Sequence, residues 1–300
     1  MRLPLWLARP LARTLHRHMG LRIRLAMLLR RGIHKESTCS GYRASLNSDY
    51  LIDGIQILLD SYDEVYEHVC HSALQPGAQV VDVGCNIGLT IFMACQATQG
   101  QTHVLGWEAD PEQFRRCQHN LSLNPSLQEW VRVDNLALSD QDGLIRFRSV
   151  AAEQGNYLVD PQGPVSMQCR SLDSLLHQHK LERLDLIKCD IDGHEQAFFK
   201  GAQASLSRFR PLVFFESILL PPYQPEQPPW KQLRDLNYTL FDARYPHAPL
   251  EPGQSPCLDT LACPDFRWGE LHPKLAALGA RASRARSLIR RMVDAWRYQE

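Results

Sequence analysis

One stretch constrains the fold of this 300-residue chain more than any other: Val80-Val81-Asp82-Val83-Gly84-Cys85-Asn86-Ile87-Gly88, followed by Leu89 to Ala97. A short apolar run that ends in glycines and then turns helical in pattern reads as a buried strand, a tight turn and a helix. Gly84 and Gly88 let the backbone turn sharply and let a ligand approach with no Cβ in the way. The spacing is G-x-x-x-G. It is not the G-x-G-x-x-G of dinucleotide sites, which argues against a nicotinamide oxidoreductase. Taken alone, two such glycines also suit any ordinary strand-to-helix junction.

The sequence around this turn repeats its grammar. A second strand is predicted from His103 to Trp107, and Glu108 ends it 24 residues after Gly84. In Rossmann-like sheets an acid at that point hydrogen-bonds ribose hydroxyls. Asp110-Pro111 opens a helix, Asp as the cap and Pro at the first helical position. Trp130 to Asp134 reads as a third strand, Leu184 to Cys189 as a fourth and the wholly apolar Leu212 to Phe215 as a fifth, central one. Tyr238 to Ala243 and Leu258 to Cys263 complete a sheet of seven. Asp173 is expected to cap a short helix, Glu195 to Ala204 to form another, and a basic helix to run from Pro273. Leu144–Arg148 and Val165–Cys169 alternate with period two and read as a hairpin-like excursion. Strands alternating with helices imply an α/β fold. We expect a mostly parallel seven-stranded sheet, helices on both faces and this β-hairpin-like insertion. Ligands of such sheets sit at the carboxyl ends of the strands, at the switch point after the first strand.

Several blocks, in order, resemble the FkbM family of class I methyltransferases: Asp82-x-Gly84-x-Asn86-x-Gly88, Glu108-Ala109-Asp110-Pro111, Asn135 to Asp140, Lys188-Cys189-Asp190-Ile191-Asp192-Gly193-His194-Glu195, Lys200-Gly201-Ala202, and Arg210-Pro211 leading to Glu216. The resemblance covers roughly residues 60–264. It implies S-adenosyl-L-methionine as methyl donor, with Asp82, Gly84, Asn86 and Gly88 lining the methionine portion, Glu108 holding the ribose, and Leu136 and Ala137 beside the adenine. The family usually has Glu where Asp192 stands, so that acid is kept with a shorter reach.

A second acidic group follows the fourth strand. Asp190 ends that strand, Asp192, His194 and Glu195 come next, and Glu216 ends the fifth strand. Methyl transfer to oxygen needs an aligned acceptor and a group to take its proton. Asp190 has the best position for that work, His194 the natural pKa, and Glu216 is the third candidate. Glu195 can instead support the helix it starts. Lys188 is expected on the opposite face from Asp190, paired with an acid there. No metal site is expected, although several of these acids could share a divalent ion.

The two ends differ from the body. Residues 1–35 carry net +9, residues 271–300 carry +5 and residues 36–270 carry −14. Three parts are therefore expected: a basic amphipathic extension (1–40), a methyltransferase domain (41–270) and a basic C-terminal helix (271–300). Basic ends suit anionic lipid or nucleic acid, or pack on the acidic body. The expected acceptor is a small molecule, a sugar or a lipid-like hydroxyl compound. An anionic membrane surface is a secondary partner for the basic start, and nucleic acid is disfavoured. Two alternatives stay open: an RNA methyltransferase that uses the basic ends, and a non-catalytic membrane-surface protein on the same fold. No apolar run reaches 18 residues. The nine cysteines include no C-x-x-C pair, so the expected setting is a reducing cytoplasm, with peripheral membrane contact as an option.

Overall fold

The computed structural model describes residues 32–59, 62–149, 157–255 and 258–282. The expected amphipathic helix of the first 33 residues and the basic end after Ala282 lie almost wholly outside them. Two antiparallel strands, β1 (His34–Cys39) and β2 (Tyr42–Asn47), open the described chain. Helices α1 (Leu51–Leu59) and α2 (Glu64–Ala73) follow. The main sheet then begins with β3 (Ala78–Val83), β4 (Thr102–Glu108) and β5 (Val131–Asn135), joined by α3 (Leu89–Ala97) and α4 (Pro111–Ser122).

The remaining elements run in pairs. The excursion comprises β6 (Ala137–Leu138), β7 (Gly143–Ser149), β8 (Tyr157–Val159) and β9 (Val165–Arg170), followed by α5 (Leu172–His179). The sheet resumes with β10 (Leu186–Cys189), then α6 (Glu195–Gly201), α7 (Gln203–Phe209) and β11 (Leu212–Glu216). Helix α8 (Trp230–Asp235), β12 (Tyr238–Asp242), β13 (Asp259–Pro264) and α9 (Asp265–Ala282) close it.

The seven strands lie in the order β12-β13-β11-β10-β3-β4-β5, and β13 alone runs antiparallel. The first strand, β3, therefore has β4 on one side and β10 on the other, which makes it the switch point. Alternation along the strands builds a core on each face. Val80, Val104, Leu212 and Phe214 pack with Ile91, Phe92 and Leu271 on one side. Val81, Val83, Ile187, Val213 and Phe215 pack with Phe198, Phe199 and Trp230 on the other. Helix α3 has seven of its nine residues buried, because α2 covers it as well as the sheet strands β3 and β4.

Several local expectations shift. The hairpin is antiparallel as expected, but β6 and β8 widen it to a four-stranded sheet. Strand β11 lies inside the sheet with one antiparallel neighbour, β13. Ser171, not Asp173, caps α5, its side chain accepting from Ser174 N. Asp173 instead accepts from the amides of Ala204 and Ser205 at 2.9 and 2.7 Å and so caps α7 from outside. The helix expected over 195–204 breaks at Ala202. Helix α9 starts at Asp265, ahead of Pro273, with Leu271 and Leu275 buried in the core. The β1–β2 hairpin straddles residue 40 and packs Cys39, Ala44 and Leu46 into the core. As folded, the boundaries drawn at 40 and 270 each pass through an element that belongs to the body.

Candidate active site

The turn after β3 is shaped by three left-handed residues: Gly84 (φ 76°), Asn86 (φ 49°) and Gly88 (φ 90°). A Cβ at Gly84 would lie 1.9 Å from the Asp190 carbonyl oxygen. Glycine is needed here first because the end of β10 comes so close. A Gly84→Val substitution would therefore break the strand junction and would not test ligand approach alone. Asp82 is fully buried below the turn. Its Oδ2 accepts from Thr90 Oγ1 at 2.6 Å. Its Oδ1 is buried with no hydrogen-bond partner.

Glu108, at the end of β4, closes the turn. Its Oε2 accepts from Asn86 N at 2.7 Å and its Oε1 from Asp110 N at 2.8 Å. Its backbone oxygen takes Asn135 Nδ2 and Leu136 N. Burial raises its carboxyl pKa to about 7, against the pull of the two amides. Each carboxylate oxygen keeps a lone pair for a further donor. Leu136 is half-buried, and Ala137 begins the small core of the excursion with Phe147 and Cys169. These features fit an adenosyl cofactor: a turn that carries no Cβ at two corners, a strand-end acid with acceptor capacity left, and apolar residues beside it.

The other side of the switch point is acidic. Asp190 N donates to Val83 O at 3.0 Å, which ties the ends of β10 and β3 together. Lys188 is buried and bonds Asp190 Oδ2 at 3.1 Å. It stands on the same face as Asp190, not the opposite one as expected, because residues two apart along a strand share a face. Glu216 and Asp259 are paired across β11 and β13. Burial, then the charges of Asp190, Asp192, Glu195 and Asp259, push the Glu216 carboxyl well above its usual range. Burial, then Asp63 and Asp190, do the same to Asp259. Asp63 caps α2, accepting from Val65 N and Tyr66 N. The phenol of Tyr62 is raised by burial and by Asp190. Arg244 stabilises the charged forms of Asp63 and Asp259.

Asp190, Asp192 and Glu216 thus come together, and Tyr62, Asp63, Lys188, Arg244 and Asp259 join them without having been singled out by sequence as site residues. His194 turns elsewhere. Its Nε2 lies 3.0 Å from the buried Ser139 Oγ, and burial lowers its pKa against the pull of Asp140. Glu195 Oε1 accepts from Ile191 N and Gly193 N, so it braces the turn that carries Asp192, itself at φ 53°. Burial raises the Glu195 carboxyl to about 7. Among the described residues, no group of three or more His, Cys, Asp or Glu side chains is arranged to hold a metal ion.

Two curated proteins match. The chain is 25% identical over 166 residues to 2-O-methyltransferase NoeI of Sinorhizobium fredii, covering 49% of this chain and 66% of that one. It is 29% identical over 126 residues to hexuronic acid methyltransferase AglP of Haloferax volcanii, covering 42% and 50%. The matches span just under two thirds and one half of these relatives. A crystal structure of methyltransferase FkbM from Methylobacillus flagellatus superposes with a TM-score of 0.45 at 15% identity, over 63% of this chain and 44% of that one. A family model described as the methyltransferase FkbM domain matches residues 82–245. That span holds the glycine turn, Glu108, Asp190 and Glu216 and exceeds half of the chain. On this match the chain belongs to the FkbM methyltransferase family.

Proposed function

We propose that the chain transfers a methyl group from S-adenosyl-L-methionine to a hydroxyl of a small-molecule acceptor, with sugars first in line and lipid-like alcohols next. The convergence of three strand ends carries this reading: Glu108 braces the turn after β3 through Asn86 N, and Asp190 N bonds Val83 O beside it. When bound, the cofactor supplies an electrophilic methyl on a sulfonium. Asp82, Gly84, Asn86 and Gly88 would hold its methionine portion, Glu108 the ribose, and Leu136 and Ala137 the adenine side. Asp190 would orient the acceptor hydroxyl and take its proton. Glu216 is better suited to donate a hydrogen bond, because its raised pKa favours the neutral acid. His194, turned to Ser139, is the weaker base. The name of one curated relative, a 2-O-methyltransferase, supports transfer to oxygen, and that of the other, a hexuronic acid methyltransferase, supports a sugar acceptor.

Two further parts of the proposal concern setting. The eight described cysteines are buried and none is in a disulfide, which supports a reducing cytoplasm. No described helix is long and apolar enough to cross a membrane. Contact with anionic lipid would fall to the basic start.

Titration with S-adenosylhomocysteine tests the cofactor reading. Ligand at 100 times its Kd should add about 2.7 kcal/mol of stability. No rise in Tm at millimolar ligand would overturn it. Incubation with labelled methyl donor and host extracts, followed by identification of the labelled product, tests the acceptor.

A further inference from the structure

The turn under the cofactor and the acid at the acceptor side share one buried cation. Lys188 is 3% exposed, on the central strand β10. Its neighbours in register are Asp82 on β3 and Phe214 on β11. Its Nζ bonds Asp190 Oδ2 at 3.1 Å. A buried lysine usually loses its charge, because leaving water disfavours the ammonium. Here the surrounding carboxylates outweigh that effect and hold it charged, Asp190 first, then Asp82. Asp63, before α2, and Asp259, on β13, also lie within its field. The other cation acting on those two is Arg244.

Asp82 explains why the position of this charge matters. It is fully buried, and one of its oxygens has no hydrogen-bond partner. Burial raises its pKa, and Lys188 is the strongest of the influences that oppose this. Without that ammonium, a carboxylate in such surroundings takes up a proton instead of staying charged. Lys188 would therefore do two things at once: keep Asp82 anionic beneath the turn, and fix one oxygen of Asp190 so that the other is left for the acceptor.

We propose that Lys188 is a positioning residue shared by the two halves of the site, a single buried ammonium that holds Asp82 for the cofactor and Asp190 for the acceptor. It would act through those two acids and not on either reactant. The inference rests on the methyltransferase reading above and adds a residue that acts through two others.

The test is S-adenosylhomocysteine affinity by calorimetry from pH 6 to 8, on the full chain and on Lys188→Met and Lys188→Arg. The expected loss in Lys188→Met is about tenfold, and it should widen as pH falls, since Asp82 without its cation takes up a proton more readily. Taking the ratio to wild type cancels the contribution of Glu108. Lys188→Arg keeps the charge and should recover most of the affinity. A pH-independent ratio, or no recovery with Arg, overturns the inference. Failure of the wild type to bind at all overturns the cofactor reading itself. Lys188→Met leaves two acids without their cation and can unfold the chain, so a second comparison starts from Asp82→Asn. Lys188→Met/Asp82→Asn should bind no worse than Asp82→Asn alone, since Lys188 then has no carboxylate at position 82 to hold. Losses that multiply would show that Lys188 acts by another route.

Discussion

On the side of the switch point proposed for the cofactor, backbone amides do most of the holding. Both oxygens of Glu108 accept amide hydrogens from neighbouring loops, and its strand-end carbonyl takes two more donors. On the side proposed for the acceptor, carboxylates are set against one another. Glu216 faces Asp259 across paired strands, and Asp190 leans on a lysine. The first arrangement is complete without a ligand and should change little when one arrives. The second sets like charges together, a repulsion that a neutral, hydroxyl-bearing acceptor would relieve by donating hydrogen bonds. The proposed function thus puts binding and chemistry on sides that should respond differently to the same kind of substitution.

The sharpest way to break this comparison is Asp190→Asn. It keeps the shape and removes the charge, so turnover on a confirmed acceptor should fall roughly a hundredfold or more. S-adenosylhomocysteine affinity should change little. Full turnover would move the proton-accepting role to Glu216 or His194. Stability comes next. Glu195 titrates at about 7 in the folded chain, above its unfolded value. The folded state then binds more protons between about pH 4.5 and 7. The stability linked to this group is complete below that window and is lost as pH rises through it. Replacing Glu195 by Gln, which mimics the protonated form, should remove a loss on the order of 2 kcal/mol from the denaturation profile between pH 5 and 8. An unchanged slope would mean that the brace on the Asp192 turn is not made by a titrating acid.

A smaller effect is expected at Glu108. Its pKa of about 7 means that wild-type ligand affinity should strengthen as pH rises through neutrality. Glu108→Gln should weaken binding about tenfold at pH 8 and flatten that rise, as loss of a charge-assisted hydrogen bond would. Loss of turnover with affinity intact would place Glu108 on the wrong side of the comparison. The smallest effect belongs to the start of the chain. Deleting residues 1–31, none of which is assigned to the proposed site, should change ligand affinity less than about twofold, while weakening sedimentation with anionic vesicles. A large loss of Tm would show instead that the basic start packs on the acidic body.

The contrast between the halves also explains what the sequence made legible. Asp82 to Gly88 and Glu108 to Pro111 are contiguous, and their residue types are dictated by backbone geometry and capping, so both are visible without a structure. Asp190 is legible as the end of an apolar strand. Asp259 and Arg244 are not, since they enter through a strand inserted backwards between β11 and β12 and through the loop before it. Tyr62 and Asp63 precede a helix whose placement follows from packing, and Asp63 looks like any N-cap. His194 misleads for the opposite reason. It sits in the right segment, but the turn braced by Glu195 aims it at Ser139. Lys188 and Asp190 stand two residues apart, so strand alternation itself puts both on one face, where the structure pairs them.

The described chain begins with a hairpin whose partners are made much later. Ser45 N bonds Asn120 Oδ1, whose own Nδ2 reaches the Ile87 carbonyl, and Asn124 clamps both backbone groups of Arg43. These contacts span 75 and 81 residues. At the usual pace of synthesis, roughly 5–20 residues per second, the hairpin waits about 4–16 s for them, whereas hairpins form within microseconds. During that interval β1 and β2 have open edges and no core to lie on, a state in which strands pair with other chains. On the ribosome, residues 34–47 should therefore gain from a chaperone until α4 has emerged.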